Sequence, residues 1–110
     1  MTVVFQLDGQ SFTALNGGPH FRFAEAVSFV VHCENQQEVG QIYAKLSEGG
    51  QEIQCGWVKD KHGLAWQIVP DALIEMMKDE DATRRDRVTR AMFKMKKLDI
   101  AALEAAYHER

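Results

Sequence analysis

Residues 23–70, FAEAVSFVVHCENQQEVGQIYAKLSEGGQEIQCGWVKDKHGLAWQIVP, decide the fold. From Ala26 to Cys33 the side chains alternate, with Val27, Phe29, Val31 and Cys33 on one side and Ala26, Ser28, Val30 and His32 on the other. Period-two alternation of this kind is a strand packed on one face. Asn35 followed three residues later by Glu38 has the form of a capping box, and Val39, Ile42, Tyr43 and Leu46 then recur at helical spacing until Gly49-Gly50 stops the run. Gly40 inside that helix costs about 1 kcal/mol against alanine and marks either close packing or plain tolerance. Gln54 to Lys59 and Leu64 to Val69 read as two further strands turning at Asp60-Lys61-His62-Gly63, and Pro70 closes the sheet. The stretch is a β-α-β-β unit.

Upstream, Val3-Val4-Phe5-Gln6-Leu7 and Ser11-Phe12-Thr13-Ala14-Leu15-Asn16 flank Asp8-Gly9. Asp-Gly supplies the positive φ angles of a two-residue turn, so this opening is a β-hairpin, ended by Gly17-Gly18-Pro19. Downstream, Asp71 to Met77 forms a short helix. Ala82 to Lys97 forms a longer one, with Val88, Ala91, Met92 and Met95 at core spacing. Asp99 caps a last helix bearing the apolar stripe Ile100, Leu103 and Tyr107. The organisation expected is one domain over 1–110: a hairpin (1–18), the β-α-β-β unit (23–70) and a helical tail (71–110).

Size and charge narrow the functional classes. A chain of 110 residues is at the small end for burying its own apolar surface, so help from a partner chain is expected. Its apolar content of 45% and charged content of 26% are those of an ordinary globular domain. No apolar run reaches the roughly 20 residues of a membrane span. The first residues lack a basic flank and an apolar core, so no cleaved secretory signal is expected, and the cytoplasm is the expected compartment. A net charge of −3 offers nothing general to nucleic acid. From residue 71 onward basic and acidic side chains are equal in number, which describes a solvated helix face rather than a phosphate-binding stripe. Cys33 and Cys55 fall in expected strands without CxxC spacing and read as small core residues.

Several short motifs occur in a familiar order: Phe5-Gln6-Leu7-Asp8-Gly9-Gln10, Ala14-Leu15-Asn16-Gly17-Gly18-Pro19, Ser28-Phe29-Val30-Val31, Lys45-Leu46-Ser47-Glu48-Gly49-Gly50, Cys55-Gly56-Trp57-Val58-Lys59-Asp60, Trp66-Gln67-Ile68-Val69-Pro70 and Met95-Lys96-Lys97-Leu98-Asp99-Ile100-Ala101-Ala102-Leu103-Glu104. Together they resemble the PhnB-like branch of the vicinal oxygen chelate superfamily, whose members often carry a 3-demethylubiquinone-9 3-methyltransferase label. The resemblance implies an α+β fold of the glyoxalase/bleomycin-resistance type: a βαβββ module with an extra N-terminal hairpin and a C-terminal helical tail. Methyl transfer finds no support in the residues. No GxGxxG turn joins a strand to a helix, and Gly17-Gly18 is followed by Pro19 and a strand.

In that superfamily two facing modules supply inward His, Gln or Glu side chains to a divalent metal. On this pattern Gln67 matches the carboxylate ligand of the last strand, while Ala26 stands where the first-strand ligand belongs. His32 shares the face of Ala26 but lies about 20 Å further along at 3.3 Å per residue, so it does not replace the missing group. A metal-free pocket is therefore favoured and no cofactor is expected; the alternative is a divalent metal with Gln67 as one ligand. Relatives carry a strand, a helix and a further strand before the point where this chain begins. A natural short form completed by a second copy, an internal start codon and a trimmed beginning would each account for that, and the first is favoured because a half-cup leaves an apolar face and a strand edge in water.

The expected partners are a small organic ligand and a second copy of the chain in a homodimer, with neither nucleic acid nor membrane. The ligand would lie on the concave sheet face, lined by Asn16, Ser28, Val30, His32, Ala65 and Gln67. Gln67 is the leading contact. His32 has the chemistry of a general base, although a lone strand histidine is more often a packed residue. Trp57 and Trp66 read as packing residues. No nucleophile has an adjacent base, so catalytic residues cannot be assigned. Three functions remain in view: a metal-free binding protein, a metal-assisted enzyme acting on a small oxygenated substrate, and a structural dimer without ligand.

Overall fold

A computed structural model describes residues 1–109. The hairpin forms as read. Strands β1 (Thr2–Leu7) and β2 (Gln10–Leu15) pair antiparallel around Asp8 and Gly9, both at positive φ (51° and 78°). Register places Val3, Phe5, Leu7, Gln10, Phe12 and Ala14 on one face and Thr2, Val4, Gln6, Ser11, Thr13 and Leu15 on the other. The hairpin is a sheet of its own, and Phe12, edge-on to Phe29 at 5.8 Å, ties its apolar face to the rest of the chain. A two-stranded ribbon is marginal alone in water. Standing off in this way, it stretches the molecule to 56 × 26 × 24 Å with a radius of gyration of 16.1 Å, against the roughly 13 Å of a compact chain this long.

The main sheet has the order β3-β6-β5-β4, built from β3 (Ser28–Cys33), β4 (Gln51–Glu52), β5 (Trp57–Lys59) and β6 (Ala65–Pro70). β3 runs parallel to β6 and its other edge is unpaired among the described residues; the remaining pairs are antiparallel. Helix α1 (Gln36–Ser47) crosses between β3 and β4, its first turn capped by Asn35 Oδ1 accepting from the Glu38 N–H at 2.9 Å. Val39 and Tyr43 of α1 bury against Cys33, Val58 and Ile68, with Trp66 packed alongside. The module is thus βαβββ, with β4 a two-residue strand that the sequence reading passed over.

Helices α2 (Asp71–Met77), α3 (Ala82–Phe93) and α4 (Ile100–His108) form the tail around a second core of Leu73, Met76, Val88, Leu98 and Leu103. Asp81 and Asp99 cap α3 and α4 through the Thr83 and Ala102 N–H groups.

Three boundaries need correction. Ala26 and Val27 lie in a turn, so β3 starts at Ser28. Gln54–Gly56 is a 3-10 turn, not strand, and α3 stops at Phe93 rather than Lys97. The last two share one cause: the Cys55 and Gly56 N–H groups donate to the Met95 and Lys96 carbonyls at 2.8 and 2.7 Å, which requires both segments to leave regular structure and meet. Cys55 takes the left-handed conformation (φ 64°) to do so, and it is half-buried rather than a strand core residue. Gly40 has open space where a Cβ would stand, so close packing is not its reason.

Candidate functional site

Opposite α1 the main sheet presents a second face, ordered by register into rows. Val30, Gln67 and Trp57 stand side by side across β3, β6 and β5; Ser28, Ala65 and Lys59 form the row before them, and His32 and Val69 the row after. Five of the six residues singled out by sequence therefore share this face. Gln67 Nε2 donates to Ser28 Oγ at 2.9 Å, a diagonal contact that fixes the amide and leaves its carbonyl oxygen without a donor among the described residues. Val30 and His32 are exposed and Ser28 half-buried. Ala65 is fully buried and offers no surface to a ligand. Asn16 follows β2 in the separate hairpin sheet, its N–H donating to the Met1 carbonyl, and is not brought to the face at all.

Charge is confined to one end. Lys59 pairs with Glu25, and its ammonium, bonded to the carboxylate, holds Glu25 below the usual range. Elsewhere the face has no Lys, Arg, Asp or Glu among the described residues.

The donor set does not fit a divalent ion within one chain. The neighbours of Gln67 in its row are Val30 and Trp57, neither with a ligating atom, and no group of three or more His, Cys, Asp or Glu converges among the described residues. Gln67 alone cannot build a site.

The two ends of the face differ in cover. At the β3 end Val30 and His32 border a cleft of about 710 Å³ that turns round the strand edge onto the α1 side, between Phe29, Val31 and Trp66, the hairpin residues Leu7 and Phe12, and Ile42 and Leu46 of α1. At the other end the helical tail closes over Val69, and Trp57 and Gln67 border an apolar cavity of about 520 Å³ beneath α2 and α3. Trp57, a packing residue on the sequence reading, stands on the face of Gln67 because the β5–β6 register sets the two side by side, a pairing that alternation along one strand does not give. Trp66 does pack, facing Phe29 on the α1 side and donating its indole N–H to Asp60 at 2.9 Å.

Buried titratable groups lie on the α1 side. Burial, with the charges of Glu38 and Asp71, pushes the Cys33 thiol up to about 11. Burial and the carboxylate of Glu52 raise the Tyr43 phenol to about 12. Both groups stay protonated at neutral pH and neither faces the cleft or the cavity.

Comparison with known proteins agrees with this geometry. The family model described as 3-demethylubiquinone-9 3-methyltransferase matches residues 1–69, which are the hairpin and the βαβββ module. Among solved structures, a putative 3-demethylubiquinone-9 3-methyltransferase, PhnB protein, from Bacillus cereus superposes with a TM-score of 0.60 at 28% identity. The match covers 64% of this chain and 64% of that one, so this chain accounts for less than two thirds of its relative's length. No curated protein matches. No helix among the described residues is long and apolar enough to cross a membrane. With its hairpin and its β3-β6-β5-β4 sheet, the chain belongs to the family described as 3-demethylubiquinone-9 3-methyltransferase, in the PhnB-like branch of the glyoxalase-type, vicinal oxygen chelate fold.

Proposed function

We propose that the protein binds a small organic molecule on the neutral face of its main sheet, without a metal, in a cup that a second copy of the chain completes. One observation carries this reading: the face sets a single amide, Gln67, between Val30 and Trp57, and it ends at a strand edge unpaired among the described residues, beside a hairpin whose apolar side is in water. Val3, Phe5 and Leu7 are exposed on that side, and Phe21 in the following segment is 92% exposed. Contiguous apolar surface rimmed by polar residues is the mark of an interaction site, and a free six-residue edge is a template for another strand. A twofold partner answers both needs, because the same patch on each chain supplies what the other lacks.

Methyl transfer, which the family's description names, is left out of the proposal. β3 passes into α1 through Glu34 and Asn35, with no glycine-rich turn to let a nucleotide-bearing cofactor approach the helix N-terminus. Metal-assisted catalysis is disfavoured by the donor set around Gln67.

Molar mass in solution by light scattering, with metal analysis of the same untagged sample, tests the proposal. The expected result is a species of twice the 12.5 kDa chain mass with substoichiometric metal. A stable monomer overturns the completed cup, and one metal ion per chain overturns the metal-free reading.

A further inference from the structure

The cavity under the helical tail is built differently from the open end of the cup. Its floor is β5 and β6, where Trp57, Gln67 and Val69 point up from the sheet. Its roof is α2 and α3, which bring Ile74, Met77, Met92 and Phe93. The roof lies outside residues 1–69, the part of the chain the family model matches. At about 520 Å³ it is within the range of sites that hold small molecules.

Its chemistry is selective. Lys78 is the one charged residue of the lining, and it is 67% exposed and already bonded to Glu75 at 3.1 Å. An anion would lose its hydration here for a cation that is in water and paired, which is costly. The walls are two aromatic rings and two thioethers, groups that favour flat aromatic surfaces, and methionine adapts its shape to them. The floor holds one polar anchor, the Gln67 amide, already oriented by Ser28 with its carbonyl oxygen uncommitted. Phe93 and Met77, at 60% and 39% exposure, stand at the mouth as large apolar side chains left in water.

We infer that this cavity takes an uncharged aromatic molecule bearing one hydrogen-bonding oxygen, seated on Trp57 and beneath Met77, Met92 and Phe93, with that oxygen held by Gln67. The inference rests on the cup reading above and narrows it to one end of the face and one class of ligand.

Calorimetric titration of the full chain with 2-naphthol, naphthalene and 2-naphthoate tests it. The expected result is saturable binding of one 2-naphthol per chain, with naphthalene and 2-naphthoate each at least tenfold weaker. Gln67→Leu should remove the preference of 2-naphthol over naphthalene, and Ile74→Trp, which fills the cavity, should abolish binding. Met92→Phe is the milder filling variant should Ile74→Trp fail to fold. Lys45→Trp, in the cleft on the α1 side, should change affinity less than threefold. Binding lost in Val30→Trp, beside Gln67 at the open end of the face, but kept in the filling variants would overturn the cavity while leaving the cup reading standing. Equal binding of all three compounds, or none of any, would overturn the inference. The cup reading would then still be judged by molar mass and metal content.

Discussion

Gly56 lies under Leu98 so closely that a Cβ at position 56 would stand 2.9 Å from Leu98 Cδ1 and 3.1 Å from the Ile68 carbonyl oxygen. Its φ of +83° is also one that side chains rarely adopt. Gly56→Ala therefore combines an overpacked contact with backbone strain, each worth about 1–3 kcal/mol. Urea denaturation of the variant should show a loss of about 3 kcal/mol. Because the strain sits where the tail meets the sheet, amide exchange should accelerate first at Ile100–Leu103.

Gly40 is the opposite case. It is inside α1 with ordinary helical geometry, and nothing stands within 4 Å of the position a Cβ would take. Gly40→Ala should raise stability by about 0.5–1 kcal/mol, read as a higher urea midpoint with an unchanged slope.

Gln36, at the start of α1, reaches across to the tail: its Nε2 donates to the Leu98 carbonyl at 3.0 Å and its Oε1 accepts from the Ile100 N–H at 2.7 Å. That N–H belongs to the first turn of α4 and has no helical partner of its own. Gln36→Ala should cost about 1–2 kcal/mol, while Gln36→Glu should retain the bond to Ile100 and lose the one to Leu98. Hydrogen exchange at Ile100 separates the two variants.

Tyr43 is buried, and its hydroxyl has no hydrogen-bond partner among the described residues. Its phenol rises from about 10 in the unfolded chain to about 12 when folded, so between those values the unfolded chain releases its proton first. Stability should be flat in this group below pH 10 and fall as pH rises toward 12. Tyr43→Phe should be close to neutral at pH 7 and should reduce the alkaline loss; Cys33, raised to about 11, accounts for part of what remains. Melting temperature against pH for the two proteins measures the difference.

What was legible in the sequence was what is decided locally. Asp8-Gly9 names its turn because both residues must take positive φ, and Asn35, Asp81 and Asp99 announce their helices because each cap acts within three residues. What was hidden is decided at a distance. Nothing near Cys55 indicates a left-handed residue; the reason is the pair of carbonyls at Met95 and Lys96, some forty residues on, and the early end of α3 is the same event seen from the other segment. The candidate site divided along that line. Ser28, Val30, His32 and Gln67 follow from strand alternation and β3–β6 pairing. The burial of Ala65, the absence of Asn16 and the inward side of Trp57 depended on how far strands extend and which sheet each joins.

The tail is held at residues 95 and 96 by main-chain oxygens, atoms that every amino acid possesses. The side chain at Lys96 can change without undoing this joint, so long as glycine persists at 56, whereas Met95 also packs against the tail core. Helix α3, which ends just before the joint, and α4, which begins just after it, are thereby returned to the same place beside the sheet whatever their exposed side chains become.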